Sequence, residues 1–309
     1  MPIKTVSVIG LGTLGTQIAI QVAYHGYAVH AYDLDPHVFE RTIQSTKDMM
    51  RAQQAYPPMG LDDWEGAASK VGLAADLAEA LKDGDLVIET LPEDLNLKRQ
   101  IWSRLDSLAP EGALLATNSS SIPVSRLEIV TQRPAKCLNM HFYMPALGQT
   151  VVDLMGGTQT TEEVLQTAKE FVWSVQCIPL MVKKETMGFC FNSIWRAIKR
   201  QSLYLWAEGF VDFRDIDRAW MVMFRQPVGP FFLMDKVGLD VVYDIEISYY
   251  NESKEPKDYP PKALKDMIER GELGMKTGKG FYSYPNPEFS QPGFLSRGNQ
   301  GLDESRKDQ

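Results

Sequence analysis

Val6-Ser7-Val8-Ile9-Gly10-Leu11-Gly12-Thr13-Leu14-Gly15 decides the reading of this chain. A short apolar strand runs into three glycines spaced G-x-G-x-x-G, and these open an apolar-periodic helix over Leu14 to Tyr24. Glycines at this spacing allow a tight turn, a close approach of backbone amides to a pyrophosphate, and close packing of helix on strand. The helix start then presents free N–H groups and a favourable dipole to the anion. Gly26 stops the helix, and a second strand, Ala28 to Tyr32, delivers Asp33. Asp33 lies 18 positions past Gly15, where a carboxylate accepts hydrogen bonds from the adenosine ribose. That acid repels a ribose 2′-phosphate, and Leu34-Asp35-Pro36 brings no arginine to receive one, so NAD is the expected cofactor.

The whole chain sets wide bounds. Its 309 residues leave room for two domains, and 44% hydrophobic with 23% charged residues is ordinary for a soluble globular protein. A net charge of −8 without basic runs argues against nucleic acid. No apolar stretch is long enough to span a membrane, and the first strand begins too early to leave space for a signal peptide. Cys137, Cys177 and Cys190 are odd in number and far apart, which fits thiols in a reducing, cytoplasmic setting. With four histidines, three of them before residue 40, no metal site is expected.

Outward from the glycine loop, strands and helices alternate. Asp35-Pro36 starts a helix expected to reach about Ala55 and stop at Pro57-Pro58, and Leu61 to Lys70 reads as a second short helix. Strands follow over Leu86–Glu89, Leu114–Thr117, Cys137–Met140, Val151–Leu154 and Ile178–Val182, with helices over Leu95–Leu108 and Glu162–Val175. This order predicts a parallel, doubly wound sheet of Rossmann type whose ligands lie beyond the carboxyl ends of its strands, where Asp33, Glu93 and Ser120 fall. The domain is expected over residues 1–184. An all-α domain is expected over 185–309: a long helix from Met187 to about Glu208, a helix capped by Asp212, a turn at Pro227–Pro230, helices over Asp240–Tyr250 and Pro261–Arg270, and a polar, mobile tail from about Gln291. Its many Trp, Phe and Met side chains suit either a subunit interface or a core of its own.

Four pieces carry chemistry: Asn118-Ser119-Ser120-Ser121, His141-Phe142-Tyr143-Met144-Pro145, Asp153, and Gly188-Phe189-Cys190-Phe191-Asn192. A histidine at a strand end with a carboxylate in reach forms an acid/base pair, because an imidazole titrates near neutral pH and the acid stabilises its cation. Beside a nicotinamide, a base that takes a hydroxyl proton while hydride leaves the carbon oxidises an alcohol.

The chain resembles the 3-hydroxyacyl-CoA dehydrogenases from its first strand to Tyr284. The resemblance is carried by the glycine loop, Glu89-Thr90-Leu91-Pro92-Glu93-Asp94-Leu95-Asn96-Leu97-Lys98, Met187 to Asn192, Pro230 to Asp240 and Lys276-Thr277-Gly278-Lys279-Gly280-Phe281-Tyr282. It implies His141 as general base, Asp153 as its carboxylate partner, and Ser120 and Asn192 as substrate contacts. It implies NAD held by Gly10, Gly12, Thr13, Leu14, Gly15, Asp33, Glu93, Lys98 and Asn118, a small-molecule substrate oxidised at its 3-hydroxyl, and a homodimer through the helical domain. This sequence departs from the family at Asp153, where glutamate is usual, at Met144, where asparagine is usual, and at the plain Gly148-Gln149-Thr150. Between Ala52 and Lys70, where the family meets CoA, Lys70 is the one basic residue. A free hydroxy acid, as in the gulonate- and carnitine-oxidising relatives, is the alternative substrate. A non-catalytic NAD-binding protein is the alternative function, against which Ser120, His141 and Asn192 argue, since a sensor needs none of them.

Overall fold

In the computed structural model of the chain, residues 2–52 and 61–296 are described. They divide into two compact units, Met1–Phe191 and Asn192–Gln309. The expected end of the second helix near Ala55, the Pro57-Pro58 stop and most of the polar tail lie outside the described residues.

The first unit is built on β1 (Thr5–Ile9), α1 (Thr13–Tyr24), β2 (Ala28–Tyr32), α2 (Val38–Ala52), α3 (Leu61–Ala68), β3 (Val71–Leu73), α4 (Leu77–Leu81), β4 (Leu86–Glu89), α5 (Leu95–Leu108), β5 (Leu114–Thr117), β6 (Cys137–Phe142), β7 (Val151–Gly156), α6 (Glu162–Ser174) and β8 (Ile178–Val182). The eight strands form one sheet in the order β3-β2-β1-β4-β5-β6-β7-β8. Strand order reverses direction at β1, between β2 and β4, which is where a doubly wound sheet opens its ligand crevice. Helices cover both faces: Ile18, Ile20, Trp64, Ala168 and Phe171 pack on one, Leu77, Leu81, Trp102 and Leu105 on the other. The central strands β4 and β5 are buried at every residue, so each reads as an apolar run, closed by a buried polar residue, Glu89 or Thr117, rather than as an alternation.

Two strands break the parallel expectation. β7 runs antiparallel to β6, and β8 pairs parallel to β7 and so shares its reversed direction. The connection between them, residues 143–150, is eight residues long, and a parallel return needs a crossover of a dozen or more. β3 and α4 were not expected from sequence; three residues of strand and five of helix are too short for a periodic signal.

The second unit holds α7 (Phe191–Ala207, whose first residue belongs to the first unit), α8 (Phe213–Phe224), α9 (Pro230–Val237), α10 (Leu239–Ser253) and α11 (Lys262–Glu269) around a core that includes Leu203, Phe231, Met234 and Leu264. α7 starts at Phe191 rather than at Met187, because Gly188 (φ 77°) and Phe189 (φ 49°) are left-handed and cannot continue a right-handed helix. Pro230 occupies the first turn of α9 instead of ending a bare turn, the position where its missing N–H costs nothing. Buried Asp217 accepts from the amides of Phe231 (2.9 Å) and Phe232 (3.2 Å) and from the Tyr282 hydroxyl (2.9 Å), so it caps α9 from a neighbouring helix. Asp235 holds Phe281 and Tyr282 by their amides in the same way, both at 2.9 Å.

Candidate active site

The glycine loop joins β1 to α1 at the sheet's reversal point. Gly10 has φ 97°, which a side chain would strain, and a Cβ on Gly15 would lie 2.0 Å from the Gly10 carbonyl oxygen. Gly12 differs: a Cβ there would meet nothing within 4 Å. It borders open space at the start of α1, whose first turn no side chain caps. Asp33 accepts from the amides of Leu11 (2.7 Å) and Asp35 (2.9 Å), tying the loop to the end of β2 and leaving lone pairs for a ribose. Gly10, Gly12, Asp33, Leu34, Leu91 and Ile101 line a cavity of ≈ 550 Å³, mostly apolar with the acid at one side. These residues fit a dinucleotide: an apolar slot for the adenine, a carboxylate for the ribose, and uncapped helix amides for the pyrophosphate.

A second cavity, ≈ 280 Å³, is lined by Gly12, Thr13, Leu14, Gly15, Glu93, Asn118, Ser119, Ser120 and His141. The loop and the histidine thus share one space. Glu93 accepts from the Ser119 hydroxyl (2.8 Å), the Ser120 amide (2.9 Å) and, more weakly, the hydroxyls of Ser120 (3.4 Å) and Ser121 (3.2 Å). Burial pushes the Glu93 carboxyl up, but the Lys98 ammonium and these hydrogen bonds outweigh it and leave it below its ordinary range. Lys98 does not line the cavity. It is 1% exposed and donates to Glu89 at 2.6 Å, while also lying 3.5 Å from Glu93. Glu89 in turn accepts from the Leu91 amide (2.6 Å), Thr117 (2.8 Å) and Trp102 (3.2 Å). A buried charge pair is tolerated when its hydrogen bonds are filled, and here they are.

His141 stands inside β6, one residue short of its end, rather than beyond the strand. The antiparallel register sets Asp153 of β7 directly across from it. Both are buried, and the imidazole Nδ1 lies 3.4 Å from Asp153 Oδ2. That is longer than the ~2.7–2.9 Å of a tight charge-assisted bond, the loosening expected of a side chain one methylene short. Phe189 stacks on the imidazole (5.2 Å between ring centres, 21°) and Tyr143 meets it edge-on (4.5 Å). Asn118 Oδ1 accepts from the Phe142 amide at 2.8 Å, which fixes the serine run against β6. Asn192 belongs to the second unit, at the start of α7.

Several positioning residues escaped the sequence reading. The Tyr143 hydroxyl donates to Asp153 Oδ2 at 2.5 Å. Gln17 and Gln21, fully buried on α1, accept from the amides of Ala146 (2.9 Å) and Gly148 (2.7 Å) and so hold the β6–β7 connection. Two glutamines on the buried face of an apolar helix were the available signal, since polar groups there need partners. Asn139 ties the serine loop to β6 by donating to the Ile122 carbonyl (3.1 Å) and accepting from the Val124 amide (2.7 Å). Among the described residues no group of His, Cys, Asp and Glu could hold a metal ion, and no helix is long and apolar enough to cross a membrane.

The chain matches known proteins along most of its length. The family model for the 3-hydroxyacyl-CoA dehydrogenase NAD binding domain matches residues 5–186, and that for the 3-hydroxyacyl-CoA dehydrogenase C-terminal domain matches residues 188–284. The chain is 31% identical over 284 residues to a 3-hydroxybutyryl-CoA dehydrogenase of Mycobacterium tuberculosis, covering 91% of this chain and 99% of the relative. It is 27% identical over 286 residues to a 5-formyl-3-hydroxy-2-methylpyridine 4-carboxylate 5-dehydrogenase of Mesorhizobium japonicum, covering 91% of each. A solved structure of a diketoreductase, an enzyme of dicarbonyl compounds, superposes with a TM-score of 0.79 at 34% identity, over 92% of this chain and all (100%) of that one. The chain is an NAD-dependent dehydrogenase and belongs to the 3-hydroxyacyl-CoA dehydrogenase family.

Proposed function

We propose that the protein oxidises the 3-hydroxyl of a 3-hydroxyacyl-CoA, or of a closely related 3-hydroxy acid, to the ketone, with His141 as the general base. The observation that carries this is the shared cavity: His141 and Ser120 line the same space as the α1 start. Bound NAD supplies the hydride acceptor. The protein does the rest. Nδ1 of His141 faces Asp153, so Nε2 is the nitrogen left to take the hydroxyl proton, and Asp153 stabilises the cation that forms. Ser120 is assigned to the substrate oxygen, and Asn192 to the same task on the resemblance alone. Gly10, Gly12, Thr13, Leu14 and Gly15 take the pyrophosphate, Asp33 the ribose, and Glu93 and Asn118 the nicotinamide end, with Lys98 holding Glu93 from behind.

A free hydroxy acid is the second reading, and specific observations favour it. Arg41, a cation that could meet CoA phosphates, is paired with Asp35, and among the described residues over 63–70 Lys70 is the exposed basic one, while the Arg51 side chain lies outside the described residues. The Mesorhizobium japonicum relative is named for a pyridine carboxylate and the diketoreductase acts on dicarbonyl compounds, neither of them a CoA thioester by name. Cys137, Cys177 and Cys190 form no disulfide, which suits the cytoplasm. The test follows NADH absorbance with 3-hydroxybutyryl-CoA and 3-hydroxybutyrate side by side, at low and high salt. Turnover of at least one is expected, with a CoA KM that rises with salt because exposed cations are screened. Failure of both, or equal turnover by His141→Gln, sinks the reading.

A further inference from the structure

We propose that Tyr143 is a positioning residue that tunes the protonation of His141 by competing for the Asp153 carboxylate. The inference rests on His141 being the base. It starts from one oxygen with two claimants. Asp153 Oδ2 accepts the Tyr143 hydroxyl at 2.5 Å, while Nδ1 of His141 stands off at 3.4 Å, and Asp153 Oδ1 has no hydrogen-bond partner. The carboxylate is fully buried, away from bulk solvent.

The strand explains why the three groups meet. Tyr143 lies two residues past His141, so both side chains project to the same side of the chain. Asp153 faces His141 in the antiparallel register and points at both rings. Its short side chain and the long reach of a phenol are complementary: the acid stops short of the imidazole, and the hydroxyl comes to it.

The chemistry gives the sign. A short O–H···O⁻ bond spreads the carboxylate's charge onto the donor, and a carboxylate already satisfied stabilises an imidazolium less well. Removing the phenol should therefore free the carboxylate to favour the imidazolium of His141. The other neighbours in this unit do not compete for that role. Phe189, stacked on the ring, is uncharged, and Glu93, which lines the same cavity, is engaged by Ser119, Ser120, Ser121 and Lys98.

The test titrates the imidazole of His141 by NMR in the full-length protein. The chain has four histidines, and the signal that vanishes in His141→Gln identifies the one of interest. In Tyr143→Phe the midpoint should rise by about 0.5–1 pH unit, part of the worth of one charge-assisted hydrogen bond. With 3-fluorotyrosine placed at position 143, a stronger donor of nearly the same shape, it should fall. The acidic limb of kcat/KM should follow in both, while NAD affinity stays constant. An unmoved midpoint, or a shift of the same sign in both proteins, overturns the inference. If His141→Gln loses turnover while the midpoints stay put, this inference alone fails; if His141→Gln keeps its turnover, the base reading fails with it.

Discussion

Asp153, buried opposite His141 across the β6–β7 ladder, is the carboxylate on which the proposed acid/base pair depends. The carboxylate lies 3.4 Å from the imidazole and accepts the Tyr143 hydroxyl on the same oxygen. If Asp153 nevertheless orients the imidazole and stabilises its cation, Asp153→Asn should lower turnover by about 10²–10⁴-fold with NAD binding nearly unchanged, the scale at which orienting carboxylates act in comparable histidine pairs. Adding Asp153→Asn to His141→Gln should cost little more than His141→Gln alone, because the two groups work as one unit. Steady-state rates on the three proteins, with NAD affinity measured separately, decide it, and full turnover by Asp153→Asn would remove the carboxylate from the mechanism.

At the scale of elements, the site depends on side chains that lash one strand end to the next. Glu89 at the end of β4 gathers the end of β5 through Thr117 and the first turns of α5 through Lys98 and Trp102. Lys98 carries this load with 1% of its surface exposed. Lys98→Met should therefore cost about 3–5 kcal/mol of stability, since it strands the Glu89 charge in the interior. Glu89→Gln combined with Lys98→Met should recover part of that loss. Urea unfolding followed by circular dichroism measures both, and an unchanged midpoint in Lys98→Met would mean the pair is not what holds these elements.

At the scale of the whole molecule, the second unit exposes large apolar side chains on two helices. Met223 is 78% exposed, Phe224 60% and Val222 57% on α8, with Ile194 (55%) and Tyr204 (50%) on α7. Large exposed apolar groups gathered on two helices mark an interface, and we propose that a second copy of the chain covers them. Met223→Asp should then convert the dimer to a species of 34.8 kDa in sedimentation equilibrium without altering the helical signal. A wild-type protein that already sediments as the 34.8 kDa chain would rule the interface out.

The sequence by itself determined the class of protein. G-x-G-x-x-G between a strand and a helix, with Asp33 in register, is a local signal, because tight turns, helix starts and strand ends are set by neighbours in the chain. The same holds for β2, β4, α5, β5 and β8, whose observed bounds are those read from the residues. The tertiary structure decided what depends on residues far apart in sequence. The direction of β7 follows from a connection too short to cross over, and that direction sets Asp153 opposite His141. The bond from Gln21 to Gly148 spans 127 positions and that from Asn118 to Phe142 spans 24. No local pattern encodes such pairings, since a buried polar side chain finds its partner only when the strands and helices around it have packed.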